Sequence, residues 1–186
     1  MHIRTHHWIT IFTLTLTASV WAAETNAPKE VFTADSAYKA MLNLEGTWTG
    51  ESNVVPVGKT KDEGTKSDAK VTYRTIANGS SIMATFLEGT PMEMVSMYHQ
   101  DSPDALIHTH YCAVGNQPTM KFSPVTEKGV INFDFAYGTN MDVNEDGHVH
   151  SGWLKFIDEN TMESETELWR DGKLNSIRYT RVTRQK

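Results

Sequence analysis

The 186-residue chain has a single cysteine, Cys112. An internal disulfide is therefore excluded, and the fold must be held by its core. Cys112 reads either as a small buried hydrophobe or as a reactive thiol. Basic runs are missing too. Lys and Arg number 17 against 23 Asp and Glu, a formal net charge of -6. Such a chain has nothing to track a phosphate backbone or an anionic lipid surface, so neither nucleic acid nor a membrane is expected as a partner of the mature protein. There is no Gly-rich phosphate loop, no Gly-x-Ser-x-Gly elbow, no heptad and no repeat of fixed period. Nothing in the sequence speaks to oligomeric state.

Long apolar runs are also absent. The longest, Ile9 to Trp21, would rise only ~20 Å as a helix, too short for a bilayer. It follows Arg4 and ends at Val20-Trp-Ala22, which fits an export signal with a small-residue cleavage site. Residues 1–22 are thus expected to be a signal peptide, and the mature protein to be periplasmic or secreted. No cysteine stands at the cleavage point, so a lipid anchor is not expected there. Residues 23–34, with Pro28, read as a flexible leader. Residues 35–186 read as a single domain.

What is present is β-sequence. A short helix is expected from Asp35-Ser36, with either residue as its cap and Gly46 as its end. Beyond it come ten runs rich in strand formers: Thr47–Val55, Ala69–Ile76, Ser80–Leu87, Glu93–Gln100, Ala105–Ala113, Gln117–Ser123, Val130–Tyr137, Gly147–Ile157, Thr161–Trp169 and Lys173–Val182. Turn residues such as Asn78-Gly79, Asp101-Ser-Pro-Asp104 and Asp171-Gly172 separate them. Only residues 56–68 look too long for a hairpin, and they read as a mobile lid or linker. Sequential short hairpins without helices predict an all-β, antiparallel up-and-down barrel of about ten strands, with one short N-terminal helix.

Alternation then assigns faces. Glu163, Glu165 and Glu167 share a face that must be solvent, since unpaired carboxylates are costly to bury. His148, His150, Gly152, Leu154 and Phe156 are expected to point inward. On the earlier run, Leu106, His108, His110 and Cys112 share a face, also taken as inward. His99, in line with Val95 and Met97, is a further candidate.

Two imidazoles spaced i, i+2 emerge on one strand face about 7 Å apart. Two such pairs in one lumen could be satisfied core residues, polar contacts for an organic ligand, or a metal site. As metal ligands, His108, His110, His148 and His150 would offer up to four nitrogens to a divalent transition metal. The carboxylate that follows the His-x-His pair in cupin barrels is missing here. Asp142 to Gly147 begins like a calcium loop, but Trp153 stands where the bidentate glutamate belongs, so it reads as an acidic turn. Asn116, Gln117 and Asn140 could reach a ligand at the barrel mouth or merely close turns. Methionines, nine in all, suit either an irregular core or an adaptable apolar lumen.

Gly46-Thr47-Trp48, after a short helix and opening the first strand, resembles the Gly-x-Trp signature of the calycin superfamily, which includes lipocalins and fatty-acid-binding proteins. In lipocalins an arginine from a late strand covers that tryptophan, a part that Arg178 or Arg181 could take. The runs Met94 to His99, His108 to Cys112, Gly115-Asn-Gln-Pro118, Thr139-Asn140 and Gly147-His-Val-His150 are similar to an uncharacterised group of bacterial secreted lipocalin-like proteins. The resemblance implies the barrel and no particular activity. Haem-binding barrels of the nitrobindin type share the ten-strand meander, but their axial histidine lies on a late strand and no histidine follows His150. Haem is thus a weaker candidate cofactor than a metal. The expected function is binding of a small apolar or amphipathic molecule. A metal-dependent enzyme and a barrel used only for packing or partner binding are the alternatives.

Overall fold

A computed structural model describes residues 30–186. The expected signal segment, residues 1–22, lies outside the described residues, as does most of the leader. Helix α1 spans Ala34–Leu42. Ten strands follow: β1 Gly46–Pro56, β2 Thr65–Ile76, β3 Ser81–Phe86, β4 Met94–Ser102, β5 Ala105–Tyr111, β6 Gln117–Ser123, β7 Val130–Thr139, β8 His148–Asp158, β9 Thr161–Arg170 and β10 Lys173–Arg184. Each pairs with its sequence neighbour, and β10 returns to β1, so the barrel is closed and antiparallel. This is the fold class expected from the sequence.

The helix cap lies two or three residues before the expected Asp35 or Ser36. Thr33 is its cap, and Thr33 and Ser36 satisfy each other's backbone N–H groups in a capping box. The end of the presumed leader is also structural. Phe32 is buried, meets Phe156 edge-on at 6.1 Å, and joins the main core. An aromatic that covers the barrel floor gains more by burial than it loses in chain entropy.

The span from residue 56 to 68 is corrected as well. From Thr65 onward it is strand, paired through Val54↔Thr65. The remainder is an ordered turn with a single 3-10 turn at Lys61–Glu63. Asn53 donates its amide to the Lys61 carbonyl at 2.8 Å, and the Lys61 ammonium sits 3.8 Å from the Tyr179 ring centroid. Alternation failed to reveal this strand because its residues 65–68 are all exposed.

Strand β9 shows the face rule at work. Met162 is buried, and Ser164 and Thr166 border the lumen, while Glu163 ion-pairs with Arg181 on the outside. Glu163, Glu165 and Glu167 form the opposite row, but all three are half-buried, Glu163 and Glu165 also border the cavity, and burial raises the Glu165 carboxyl above its usual value, so the row is not simply solvated as expected. At the helix end, Met41, Leu44, Trp48, Leu106, Ile131 and Met162 form a floor of fully buried side chains.

Closure of the barrel depends on β1 and β10 approaching closely at Gly50. A Cβ there would lie 2.0 Å from the Arg181 carbonyl oxygen and 2.9 Å from the Val182 Cα. Both are backbone atoms in the closing ladder, where Gly50 faces Val182. Gly50→Ala can be accommodated only by prising that ladder apart. We expect a loss of about 1–3 kcal/mol, read as a lower urea midpoint. An unchanged midpoint would show that the seam yields freely.

Candidate functional site

The lumen above the floor is not filled. One cavity of about 310 Å³ rises from Met41 of α1 past Tyr98, His108 and His110. It also borders Leu87 and Met92, which are 37% and 51% exposed, so it reaches the surface on the β3–β4 side. A second, of about 490 Å³, lies at the mouth against Val114, Asn116, Asn140 and Asp146. Met94, His110, Val149 and Arg178 border both.

Strands β4 and β5 build the polar part of this wall. Their ladder sets Ser96 opposite His110 and Tyr98 opposite His108. Ser96 Oγ lies 2.9 Å from His108 Nε2 and 3.0 Å from His110 Nδ1, so one hydroxyl links both imidazoles. Tyr98 stacks on His108 at 4.3 Å, and Phe133 meets the same ring edge-on at 5.3 Å. Burial, helped by His110, holds His108 down to about 3. Burial and the positive Arg178 hold His110 down to about 4. Both rings are neutral at ordinary pH, and Tyr98 is pushed well up by burial. His110 is only 6% exposed, and its Nε2 has no partner. The inward reading of His108 and His110 agrees with this placement.

The second histidine pair is elsewhere. A bulge in the β8–β9 register between Val149 and Ser151 interrupts the alternation. The inward row is Val149, Gly152, Leu154 and Phe156, opposite Leu168, Thr166, Ser164 and Met162. His148 pairs instead with Trp169, on the row that carries Glu167. His150 stacks between Phe135 at 4.6 Å and Trp169 at 3.8 Å and borders neither cavity. His148 Nε2 lies 3.1 Å from His150 Nδ1, and its Nδ1 lies 2.8 Å from the Asp146 carbonyl. These rings stack where β7 and β8 have no ladder, since their pairing ends at Phe133↔Gly152. Burial, then His148, lowers His150 from its usual value, opposed by Glu167. The expectation that both pairs share one lumen is thereby corrected: of the second pair only His148 reaches a cavity, the one at the mouth that His110 also borders. Among the described residues, no three His, Cys, Asp or Glu side chains are grouped to hold a metal ion. The four-histidine metal site is not assembled.

The other candidates divide in the same way. His99 does share a face with Val95 and Met97, but that face is opposite Ser96 and Tyr98 and so lies outside. Cys112 is partly buried, borders the mouth cavity and has its sulfur 3.9 Å from Met94 Sδ. Gln117 and Asn140 both donate their amides to the Gly115 carbonyl, so they close the turn. Asn116 is buried at the mouth. Its amide donates to the Gly147 carbonyl at 2.9 Å, while its Oδ1 has no partner. The acidic turn folds on itself: Asp142 and Asp146 carboxylates accept from the Asn144 and Asp142 amides.

Ser96 and Tyr98 went unrecognised in the sequence. The turn Asp101-Ser-Pro-Asp104 carried the signal, because a short hairpin there sets Ser96 against His110. Arg178, which the sequence offers as a cover for Trp48, stands elsewhere. The arginine over the Trp48 ring is Arg184, at 4.3 Å. Arg181 is engaged outside with Glu163, and Arg178 turns into the lumen.

Comparison with solved structures supports the fold. A protein of unknown function from the DUF3598 family of Nostoc punctiforme superposes with a TM-score of 0.55 at 13% identity, over 88% of this chain and 53% of that one. This chain therefore spans about half the length of the Nostoc protein. Rv2717c from M. tuberculosis superposes with a TM-score of 0.58 at 13% identity, over 84% of this chain and 100% of that one. At such identity the likeness speaks to the barrel alone. No family model and no curated protein matches the sequence.

Proposed function

We propose that this is an exported, lipocalin-like binding barrel that takes a small apolar or amphipathic molecule into its lumen. The observation that carries the reading is the cavity of about 310 Å³ beside the Ser96–His108–His110 chain. Protein interiors are normally packed to crystal density, and a void this size forfeits dispersion contacts all along its wall. It lies at the lower end of the volumes that hold small organic ligands. Apolar walls with a few convergent polar groups are the usual chemistry of such sites. The export segment, read from residues 1–22, is consistent with a carrier or scavenger working outside the cytoplasm.

A neutral apolar fluorophore, N-phenyl-1-naphthylamine, tests the lumen directly. The protein should enhance and blue-shift its emission. Ser164→Trp places an indole in the cavity, since Ser164 borders it. That variant should weaken binding by at least about tenfold, roughly the value of one lost apolar contact surface. Equal emission with both proteins would place the dye on the outer surface and remove the support for a binding lumen.

A further inference from the structure

We propose that Arg178 and His110 form a carboxylate seat at the neck between the two cavities, so that the natural ligand is a monoanionic amphiphile with its apolar part in the lumen. This rests on the binding reading above and specifies its ligand class.

Arg178 stands on β10 between Val54 of β1 and Thr166 of β9, whose rows face the lumen. Among the described residues it makes no ion pair and no hydrogen bond, and its only charged or titratable neighbours of note are His110 and the Cys112 thiol. Other arginines are engaged or exposed: Arg184 donates to the Asn43 and Glu45 carbonyls, Arg181 pairs with Glu163, and Arg170, which also borders the mouth cavity, is exposed. A guanidinium cannot shed its proton, so an unpaired one in a largely apolar space is costly until an anion joins it. Burial already pulls its proton affinity below the usual arginine value.

His110 supplies the second donor. Ser96 has one hydroxyl proton for two imidazole nitrogens. When it donates to His110 Nδ1, it accepts from His108 Nε2–H, and His110 then carries its own proton on Nε2. That atom is one of four buried side-chain polar atoms without a partner among the described residues. Left empty, the seat would hold an N–H beside a cation. A carboxylate between them accepts from both and selects this tautomer through the Ser96 chain. The planar fork of Arg178 also matches the two oxygens of a carboxylate. The cavities meeting here leave room for an alkyl body on the floor side, towards Met41, Tyr98 and Met162.

The test compares decanoate with decan-1-ol by titration calorimetry at neutral pH, where decanoate is ionised. The two share an apolar body and differ at the head. The wild-type protein should prefer decanoate by about tenfold or more, the usual scale for charge-assisted hydrogen bonds. Arg178→Met should bring the two within about threefold. Arg178→Lys should recover part of the preference, because charge returns without the fork. A separate readout needs no ligand: Arg178→Met should raise the urea midpoint of the empty protein, since an unpaired, half-buried charge is gone. Equal affinities of the wild type for both compounds would overturn the seat while leaving the binding lumen standing. A preference that survives in both Arg178 variants would overturn it too. If neither compound binds, the binding reading fails and the seat goes with it.

Discussion

Lowering the pH from 7 towards 4 should unfold this protein far earlier than loss of surface ion pairs would. His108 and His110 are held down to about 3 and about 4, well below the ordinary imidazole value near 6.5. The sign follows from which state binds protons. Above pH 6.5 the rings are neutral in both states and contribute no slope. As pH falls through 6.5 the unfolded chain takes up protons that the native barrel refuses, so the unfolded state gains. Each histidine then removes up to about 1.4 kcal/mol per pH unit until its native value is approached. These are upper bounds, since His108 borders a cavity that water can enter. Even half of that, summed over two rings and two units, is a large part of the roughly 5–15 kcal/mol that a domain has. The surface pairs cannot do this. Lys39–Asp35, Lys59–Glu63 and Lys66–Glu51 are all exposed, and such pairs contribute little. The neighbours that face these rings, Arg178, Tyr98 and Phe133, offer no negative charge to rescue an imidazolium. Urea titrations at stepped pH measure the slope. The variant Ser96→Ala/His108→Leu/His110→Leu removes the chain whole and leaves no orphaned partner. It should flatten the profile between pH 6.5 and 4.5. A wild-type profile already flat in that window would mean that the rings accept protons in place.

The barrel was legible because its signals are local. All ten strands, most of their turns and the shared row of Glu163, Glu165 and Glu167 can be read from period-two alternation and hairpin residues. The site was legible only where alternation ran unbroken. On β5 it did, and His108 and His110 face inward as read. On β8 one extra residue at His150 shifted the row, so Val149 took the inward place and the histidines moved into a stack with Phe135 and Trp169. A bulge leaves no local trace that distinguishes it from regular strand, because His148-Val-His150 is equally good at either register. Arg178 shows a different limit. Its neighbour Tyr179 and its fellow Arg181 are equally plausible as lumen residues on a strand of mixed polarity. Only the register against Val54 and Thr166 decides which cation is inside. Ser96 lies between these cases: its role follows from pairing, and the pairing follows from a turn that was visible.

The floor beneath the lumen should be the most mutation-sensitive part of the molecule, and Trp48 its centre. The side chain is 1% exposed. Its indole N–H donates to the Leu44 carbonyl at 2.8 Å, just past the end of α1. The Arg184 guanidinium lies over the other face of the ring, at 4.3 Å, and donates to the Asn43 and Glu45 carbonyls. One ring thus joins the first strand, the last strand and the helix end. Trp48→Ala should cost about 3–5 kcal/mol by loss of buried area and the void left behind. Trp48→Phe keeps most of the area but orphans the Leu44 carbonyl, and should cost about 1–2 kcal/mol. Arg184→Ala loses a cation–π contact and two carbonyl partners, again about 1–2 kcal/mol. Urea midpoints of the single and double variants separate these terms. Arg184 is held in register by the very ring it covers, so removing both should cost about 1 kcal/mol less than the sum of the single losses. Strict additivity would show that the arginine braces the helix end without the tryptophan, and the floor would then be two independent closures that happen to touch.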